Sequence, residues 1–179
     1  MKIYILEFFF RVLNALNRRF LLFKEGFLDE TDIEIVLNSE KFKKFNFKLP
    51  EGYVLREFNE EDFFGFHMLM LKVNMGYCPL SYWKNFILPG GFFVIEHTKH
   101  NRIIGAGFAA VHPGYGNGGV GTLEWLACHP DFGGLGIGTM VSARISERLI
   151  EENFIKIRLT TQKHRKNAIS MYKKLGWDI

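Results

Sequence analysis

The chain has 179 residues, of which 47% are apolar, which is enough for one domain with a single core and an appendage. Its two cysteines, Cys78 and Cys128, exclude a disulfide framework and a four-ligand zinc site. The six histidines lack metal-binding spacing, so no metal is expected. No signal-peptide pattern is evident at the N-terminus, which favours a reducing cytoplasm as the location.

The chain has a net charge of +4, and its basic residues are concentrated in two segments. Residues 1–24 contain five basic residues and one acid, so this segment accounts for the whole net charge. Residues 155–177 contain seven basic residues and no acid. A run of this kind is typical of a solvated face. No pattern of stacking aromatic residues accompanies it, so nucleic acid is not an expected partner.

The first residues are predicted to form an amphipathic helix. Its charged residues fall on one side, and its other side carries an apolar stripe: Ile5, Phe9, Leu13, Leu16 and Phe20. Charges interrupt every turn or two, so the helix is too polar to span a membrane. We expect the stripe to pack against the domain or a second copy in a homodimer. The alternative, which we favour less, is a helix on a membrane surface.

Two alternating segments follow, Asp32–Leu37 and residues 44–49, and they predict half-buried strands that pair as a hairpin. Residues 1–50 are therefore interpreted as an N-terminal extension, and residues 51–179 as the main domain. The domain begins with a predicted strand over residues 53–58. Asn59 then has the position of a helix cap, with three acidic residues in the first turn.

A short helix over residues 79–86 and a hairpin of residues 92–96 with 103–111 are predicted next. The glycine-rich residues 113–121 predict an exposed loop. A strand over residues 122–129 then leads into a turn containing Gly133, Gly134, Gly136 and Gly138, which opens a helix.

Glycines at a helix start favour the binding of an anion, because a phosphate can approach the backbone N–H groups closely. The spacing excludes a P-loop, and Gly134-x-Gly136-x-Gly138 lacks the two-residue gap of the dinucleotide fingerprint. Further on, residues 157–161 predict a strand. A short helix follows, opened by Asn167, containing Tyr172 and closed by Leu175-Gly176-Trp177.

These two segments resemble motifs A and B of the Gcn5-related N-acetyltransferase (GNAT) superfamily. The resemblance covers residues 52–179 and implies an α/β fold with a mixed sheet. The superfamily normally continues through two more strands after Leu-Gly-aromatic, and this chain ends at Ile179. Either the sequence is a fragment, or another segment covers the sheet edge. The N-terminal extension is the local candidate.

The resemblance implies acetyl-CoA as co-substrate, with its pyrophosphate on the glycine turn and its pantetheine arm beside the strand before it. The family usually has Arg or Gln where this chain has Gly133, so a side-chain contact is lost. In the fold of this family, the basic residues 155–177 also lie near the 3′-phosphate end of CoA. The residues expected to bind the co-substrate are Leu126, Ala127, Cys128, Gly133, Gly134, Gly136, Ile137, Gly138, Thr139 and Asn167.

Two residues match catalytic positions of the family. Tyr172 matches the tyrosine that protonates the departing thiolate, and the alternative is a packing role. Glu124 is the one carboxylate in an apolar strand, where burial would raise its pKa toward that of a useful base. The alternative to a catalytic base is that Glu124 faces solvent or forms a salt bridge. Asn167 matches a residue that binds the pantetheine arm, and it also fits a helix cap.

The sequence therefore predicts an acetyl-CoA-dependent N-acetyltransferase that transfers the acetyl group directly to an unidentified amine. Residues 74–83, on the expected acceptor side, are mostly aromatic and neutral, which favours a bulky or apolar amine. Two alternatives remain. The domain could use another acyl-CoA, or it could bind CoA or oligomerise without catalysis.

Overall fold

The computed structural model of the protein describes residues 4–13, 15, 32–44, 48–112 and 119–179. Its helices are α1 (residues 4–13 and 15), α2 (Phe63–Lys72), α3 (Leu80–Phe86), α4 (Ile137–Glu151) and α5 (Lys166–Lys174). Its strands are β1 (Asp32–Leu37), β2 (Tyr53–Glu57), β3 (Ile87–His97), β4 (Arg102–Val111), β5 (Val120–Cys128), β6 (Lys156–Gln162) and β7 (Trp177–Asp178).

The strands form one seven-stranded sheet in the order β2-β3-β4-β5-β6-β1-β7. The pairs are antiparallel except for β5 and β6, which are parallel and joined through α4. One core lies between the sheet, α4 and α5, and a second lies beneath α2 and α3. At Gly105 a Cβ atom would be 2.3 Å from Ile137 Cγ2, so this glycine lets α4 approach the sheet closely. The predicted mixed α/β sheet is confirmed.

The predicted cap at Asn59 is also confirmed. Its side-chain oxygen accepts a hydrogen bond from the Glu61 N–H at 2.9 Å, and the Asp62 carboxylate accepts one from the Asn59 N–H at 2.9 Å. The capped turn, Glu60–Asp62, is a short 3₁₀ helix that leads into α2.

The strand predicted at Asp32–Leu37 forms, but its partner differs from the predicted hairpin. β1 pairs antiparallel with β6, with Ile35 opposite Leu159, and with β7, with Leu37 opposite Trp177. Residues 42–44 and 48–50 have no regular structure, and residues 45–47 lie outside the described part. Alternation predicts a strand but not its neighbour. β1 covers the edge of β6.

The helix α1 turns a different face to the domain from the one predicted. Phe10 is buried against Phe63 and Phe64 of α2, whereas Ile5 and Phe9 of the predicted stripe are exposed. Leu16 and Phe20 lie outside the described residues. Residues 3–10 are apolar apart from Glu7, so the periodicity could not select one inward face. Among the described helices, none is long and apolar enough to cross a membrane.

Candidate active site

The sheet opens between its two parallel strands. The ladder joins Val120–Thr122 of β5 to Lys156–Arg158 of β6 and ends there. Beyond this point the strands border a cleft of about 290 Å³. The cleft is lined by Met75, Thr122, Leu123, Glu124, Trp125, Leu126, Arg158, Leu159, Thr160, Thr161, Arg165 and Tyr172. Past Thr122, the backbone of β5 on this side is available to pair with an extended ligand.

A β-bulge in β5 shapes the cleft. Ala127 lies opposite Ala106 and Glu124 opposite Phe108, so two residues of β5 face the single Gly107 of β4. Trp125, within the bulge, has a φ of 53°, a left-handed conformation that a bulky residue rarely adopts. The bulge re-aims the side chains on either side of it, as is typical of bulges near functional sites.

The glycine turn follows β5 after a short 3₁₀ turn, Pro130–Phe132. Gly134 and Gly136 have φ values of 81° and 73°, which glycine adopts without steric cost, and Gly136 is the N-cap of α4. Gly133 has an ordinary φ of −61°. The N–H groups of Ile137, Gly138 and Thr139 belong to the first turn of α4, where backbone donors lack intrahelical partners. These groups lie where the sequence predicts an anion to bind, and that role stays a prediction.

Gly138 serves packing as well. A Cβ atom there would be 3.1 Å from Cys128 Sγ and 3.3 Å from Met171 Sδ, so α4 starts in close contact with the end of β5 and with α5. Burial raises the pKa of the Cys128 thiol to about 11, so it is protonated at neutral pH and poorly suited to act as a nucleophile. Leu126 lines the cleft and Ala127 is buried behind it.

Tyr172 lies on α5 and reaches the same cleft. Its side chain is only 5% exposed and its ring packs beside Trp177, with the two centroids 5.9 Å apart. Burial raises the pKa of its phenol well above the ordinary value. The hydroxyl therefore keeps its proton at neutral and moderately alkaline pH, as a group that donates a proton must.

Glu124 is half-buried and held by polar neighbours, not enclosed by apolar ones. Its carboxylate accepts hydrogen bonds from the Tyr82 hydroxyl, from Thr122 Oγ1 at 2.8 Å and from His112 Nε2 at 2.7 Å. Tyr82 OH and His112 Nε2 are themselves 3.0 Å apart. The ion-paired alternative corresponds to the contact with His112, which becomes an ion pair whenever the imidazole is protonated.

Tyr82 and His112 were not identified from the sequence as site residues. Tyr82 comes from α3 and His112 follows β4, 42 and 12 residues from Glu124. No local pattern connects such positions. The one sequence feature that pointed to either residue was the position of Tyr82 within residues 74–83, the segment expected to form the acceptor side of the site.

Asn167 differs from its predicted cap position. α5 begins at Lys166 and its N-cap is Arg165, so Asn167 lies one residue inside the helix with an exposed side chain. Arg165, together with Arg158, lines the cleft instead. The Arg158 guanidinium is 2.6 Å from Glu34 on β1, which ties the N-terminal strand to the site. No cluster of metal-ligating side chains occurs among the described residues.

A model of the acetyltransferase (GNAT) family matches residues 53–177, which include the cleft, the glycine turn and α5. The chain therefore belongs to the GNAT acetyltransferase family, whose members are transferases. No curated protein matches the chain.

Solved structures share the fold. A putative GNAT acetyltransferase from Novosphingobium aromaticivorans is 15% identical with a TM-score of 0.61, covering 82% of this chain and 58% of its own. A Trypanosoma brucei acetyltransferase is 20% identical with a TM-score of 0.59, covering 71% and 93%. Arabidopsis thaliana Naa50, in complex with the bisubstrate analogue CoA-Ac-MVNAL, is 18% identical with a TM-score of 0.59, covering 72% and 84%. At these identities the likeness concerns the fold alone.

Proposed function

We propose that this protein is an acetyl-CoA-dependent N-acetyltransferase that transfers the acetyl group directly to an amine. The observation that carries the proposal is the single cleft between β5 and β6, in which a carboxylate on a bulged strand and a buried tyrosine on α5 line the same space. That cleft adjoins a helix start suited to a phosphate.

The residues present fit acetyl-CoA. The unpaired edge of β5 at Leu126, Ala127 and Cys128 is suited to an extended amide-containing arm. The turn from Gly133 to Gly136 and the N–H groups of Ile137, Gly138 and Thr139 suit a pyrophosphate. Gly133 offers no side chain, so affinity rests on the backbone groups.

The basic residues of α5 and of the turn before it favour an anionic co-substrate. Lys163, Arg165 and Lys166 are exposed beside the cleft, where they raise the local concentration of an anion. Asn167, at the exposed start of α5, is within this region.

Glu124 is proposed as the base that removes a proton from the amine. Tyr82, His112 and Thr122 hold its carboxylate in one position, which favours a defined geometry for proton transfer. Tyr172 is proposed as the acid that protonates the thiolate when the carbon–sulfur bond breaks. The protonated Cys128 supports direct attack by the amine in preference to a covalent enzyme intermediate.

The acceptor is proposed to be an amine with an apolar or aromatic neighbouring group. The carboxylate of Glu124 is surrounded on the α3 side by aromatic rings. Tyr82 packs on Phe86 and Phe108, with centroids 4.9 and 6.0 Å apart, and Phe86 stacks on His112 at 4.9 Å.

The substitution Glu124→Gln tests this assignment. It keeps the shape of the side chain but removes the base, so we expect kcat to fall by about 100-fold or more with little change in acetyl-CoA affinity. Glu57→Gln, an exposed glutamate on β2, is the matched control. Equal rates for the Glu124→Gln variant and the wild type, with a competent amine, would exclude Glu124 as the base.

A further inference from the structure

The outward side of α1 is an apolar surface that the domain does not cover. Large apolar side chains that are 43–70% exposed occupy it: Tyr4, Ile5, Phe8, Phe9 and Val12. At 3.6 residues per turn these positions span an arc of roughly 140°. We call this set the outer face of α1.

The contact made by Phe10 fixes the direction of the outer face. Phe10 is 1% exposed and packs against three rings of α2, with centroid distances of 6.1 Å to Phe63, 5.7 Å to Phe64 and 4.9 Å to His67. This anchor holds the opposite side of the helix away from the domain. Phe64 is itself about half exposed, so the apolar surface continues onto α2.

The sequence around the outer face is basic. Arg11 is exposed at its border, whereas Glu7, the one acid of residues 1–24, is 12% exposed and accepts a hydrogen bond from Arg11 at 2.9 Å. In sequence, the helix lies within a segment that also carries Lys2, Arg18, Arg19 and Lys24. The whole net charge of the chain is in this segment.

We propose that the outer face of α1 binds to the surface of an anionic lipid bilayer, with the helix lying in the interface. Large apolar and aromatic side chains on one side and basic residues at the border are the features of helices that lie in this plane. Each basic residue near an anionic leaflet adds to the attraction.

The basic charge of this segment argues against a second copy of the chain as the partner that covers the outer face of α1. A two-fold symmetric contact places the same patch of both copies together. In sequence, the whole net positive charge of each copy belongs to residues 1–24, which include this patch, so repulsion between like charges disfavours that contact. An anionic lipid surface is complementary to the same patch.

The test is co-sedimentation of the full chain with vesicles of phosphatidylcholine alone and of phosphatidylcholine mixed with phosphatidylserine. We expect binding to the anionic vesicles that weakens with added salt, and much weaker binding to phosphatidylcholine alone. The double substitution of Ile5→Ser and Phe8→Ser should weaken anionic binding by more than about tenfold, because it removes two exposed apolar anchors. Both residues are exposed, so the fold should be unaffected.

Ile155→Ser is the matched control, since Ile155 is 94% exposed on the domain surface far from α1 in sequence. It should bind vesicles like the wild type. Failure of the wild type to bind anionic vesicles, or equal binding by the double variant, would overturn the proposal. A dimer seen by light scattering, abolished by the double substitution without any vesicle binding, would overturn it in favour of self-association.

Discussion

Tyr172, the proposed acid, is a buried residue whose environment favours its protonated form. Its phenol is enclosed between α5 and the sheet, and that enclosure raises its pKa. Because the pKa is raised, the folded protein favours the neutral, protonated form of the phenol. Any stability gained from it is complete below the ordinary tyrosine pKa and is lost only as the pH rises through the raised value.

The substitution Tyr172→Phe should lower kcat by about 100-fold or more while leaving the acetyl-CoA affinity nearly unchanged. The ring and its packing on Trp177 remain, and only the donated proton is lost. Steady-state kinetics with a competent amine, together with calorimetric titration of acetyl-CoA, provide the two measurements. Tyr53→Phe, on β2, is the control. A Tyr172→Phe variant with the wild-type kcat would make the residue structural.

Single site residues could be predicted from the sequence where a motif contains them. They could not be predicted where the fold brings together residues that are distant in sequence. Tyr172 and Glu124 were selected from the sequence, and both line the cleft. The apolar burial expected for Glu124 was not found, because its carboxylate accepts hydrogen bonds from Thr122 on the same strand and from Tyr82 and His112 in other segments. The Asn167 cap was also wrong, because the helix starts one residue earlier.

At the scale of elements, the glycine turn combines two different requirements. Gly134 and Gly136 are needed for their positive φ values, whereas Gly138 is needed because side chains approach it closely. Gly133 has neither constraint, since its φ is −61° and a Cβ atom would meet nothing nearer than 3.5 Å. Gly133 can therefore serve as the control position for substitutions in this turn.

The substitution Gly136→Val should reduce acetyl-CoA affinity by more than about tenfold, because a left-handed conformation costs an L-residue roughly 1–2 kcal/mol and the turn must shift. Gly133→Ala should bind nearly as the wild type does. Calorimetric titration compares the two variants, and thermal melting shows that both are folded. Wild-type affinity in the Gly136→Val variant would remove the turn from the proposed binding site.

β1 shows what alternation in sequence can and cannot predict. The strand itself was predicted correctly, but the hairpin with residues 44–49 is not the pairing observed. β1 instead pairs with the edge of β6, with Ile35 opposite Leu159, and the Ile35 side chain is fully buried. The partner of a strand depends on which sheet edge the rest of the fold leaves open. The local sequence pattern does not contain that information.

The substitution Ile35→Ala should lower the free energy of unfolding by about 2–5 kcal/mol, as expected for a large-to-small change in a core. Ile155→Ala, at a 94% exposed position, should change it by no more than about 0.5 kcal/mol. Urea denaturation measures both. Equal midpoints for the two variants would show that β1 does not contribute to the core.

At the scale of the whole molecule, the sheet and the charge distribution serve one proposed reaction. The opening between β5 and β6 places the proposed base and the proposed acid on one cleft, and basic residues that line it suit an anionic co-substrate. The order of strands and helices from residue 53 onward was predictable, because two spaced motifs fixed it. The inward face of α1 was not, because apolar residues surround that helix on several sides.

The most direct test of the account is the release of free thiol from acetyl-CoA in the presence of a library of amines, with mass spectrometry of the products. We expect thiol release that depends on a particular amine, most readily one with an apolar or aromatic group, and a product carrying one added acetyl group. Binding of acetyl-CoA at the cleft with no amine-dependent thiol release and no acetylated product would contradict it, and would identify the protein as a CoA-binding module without catalysis.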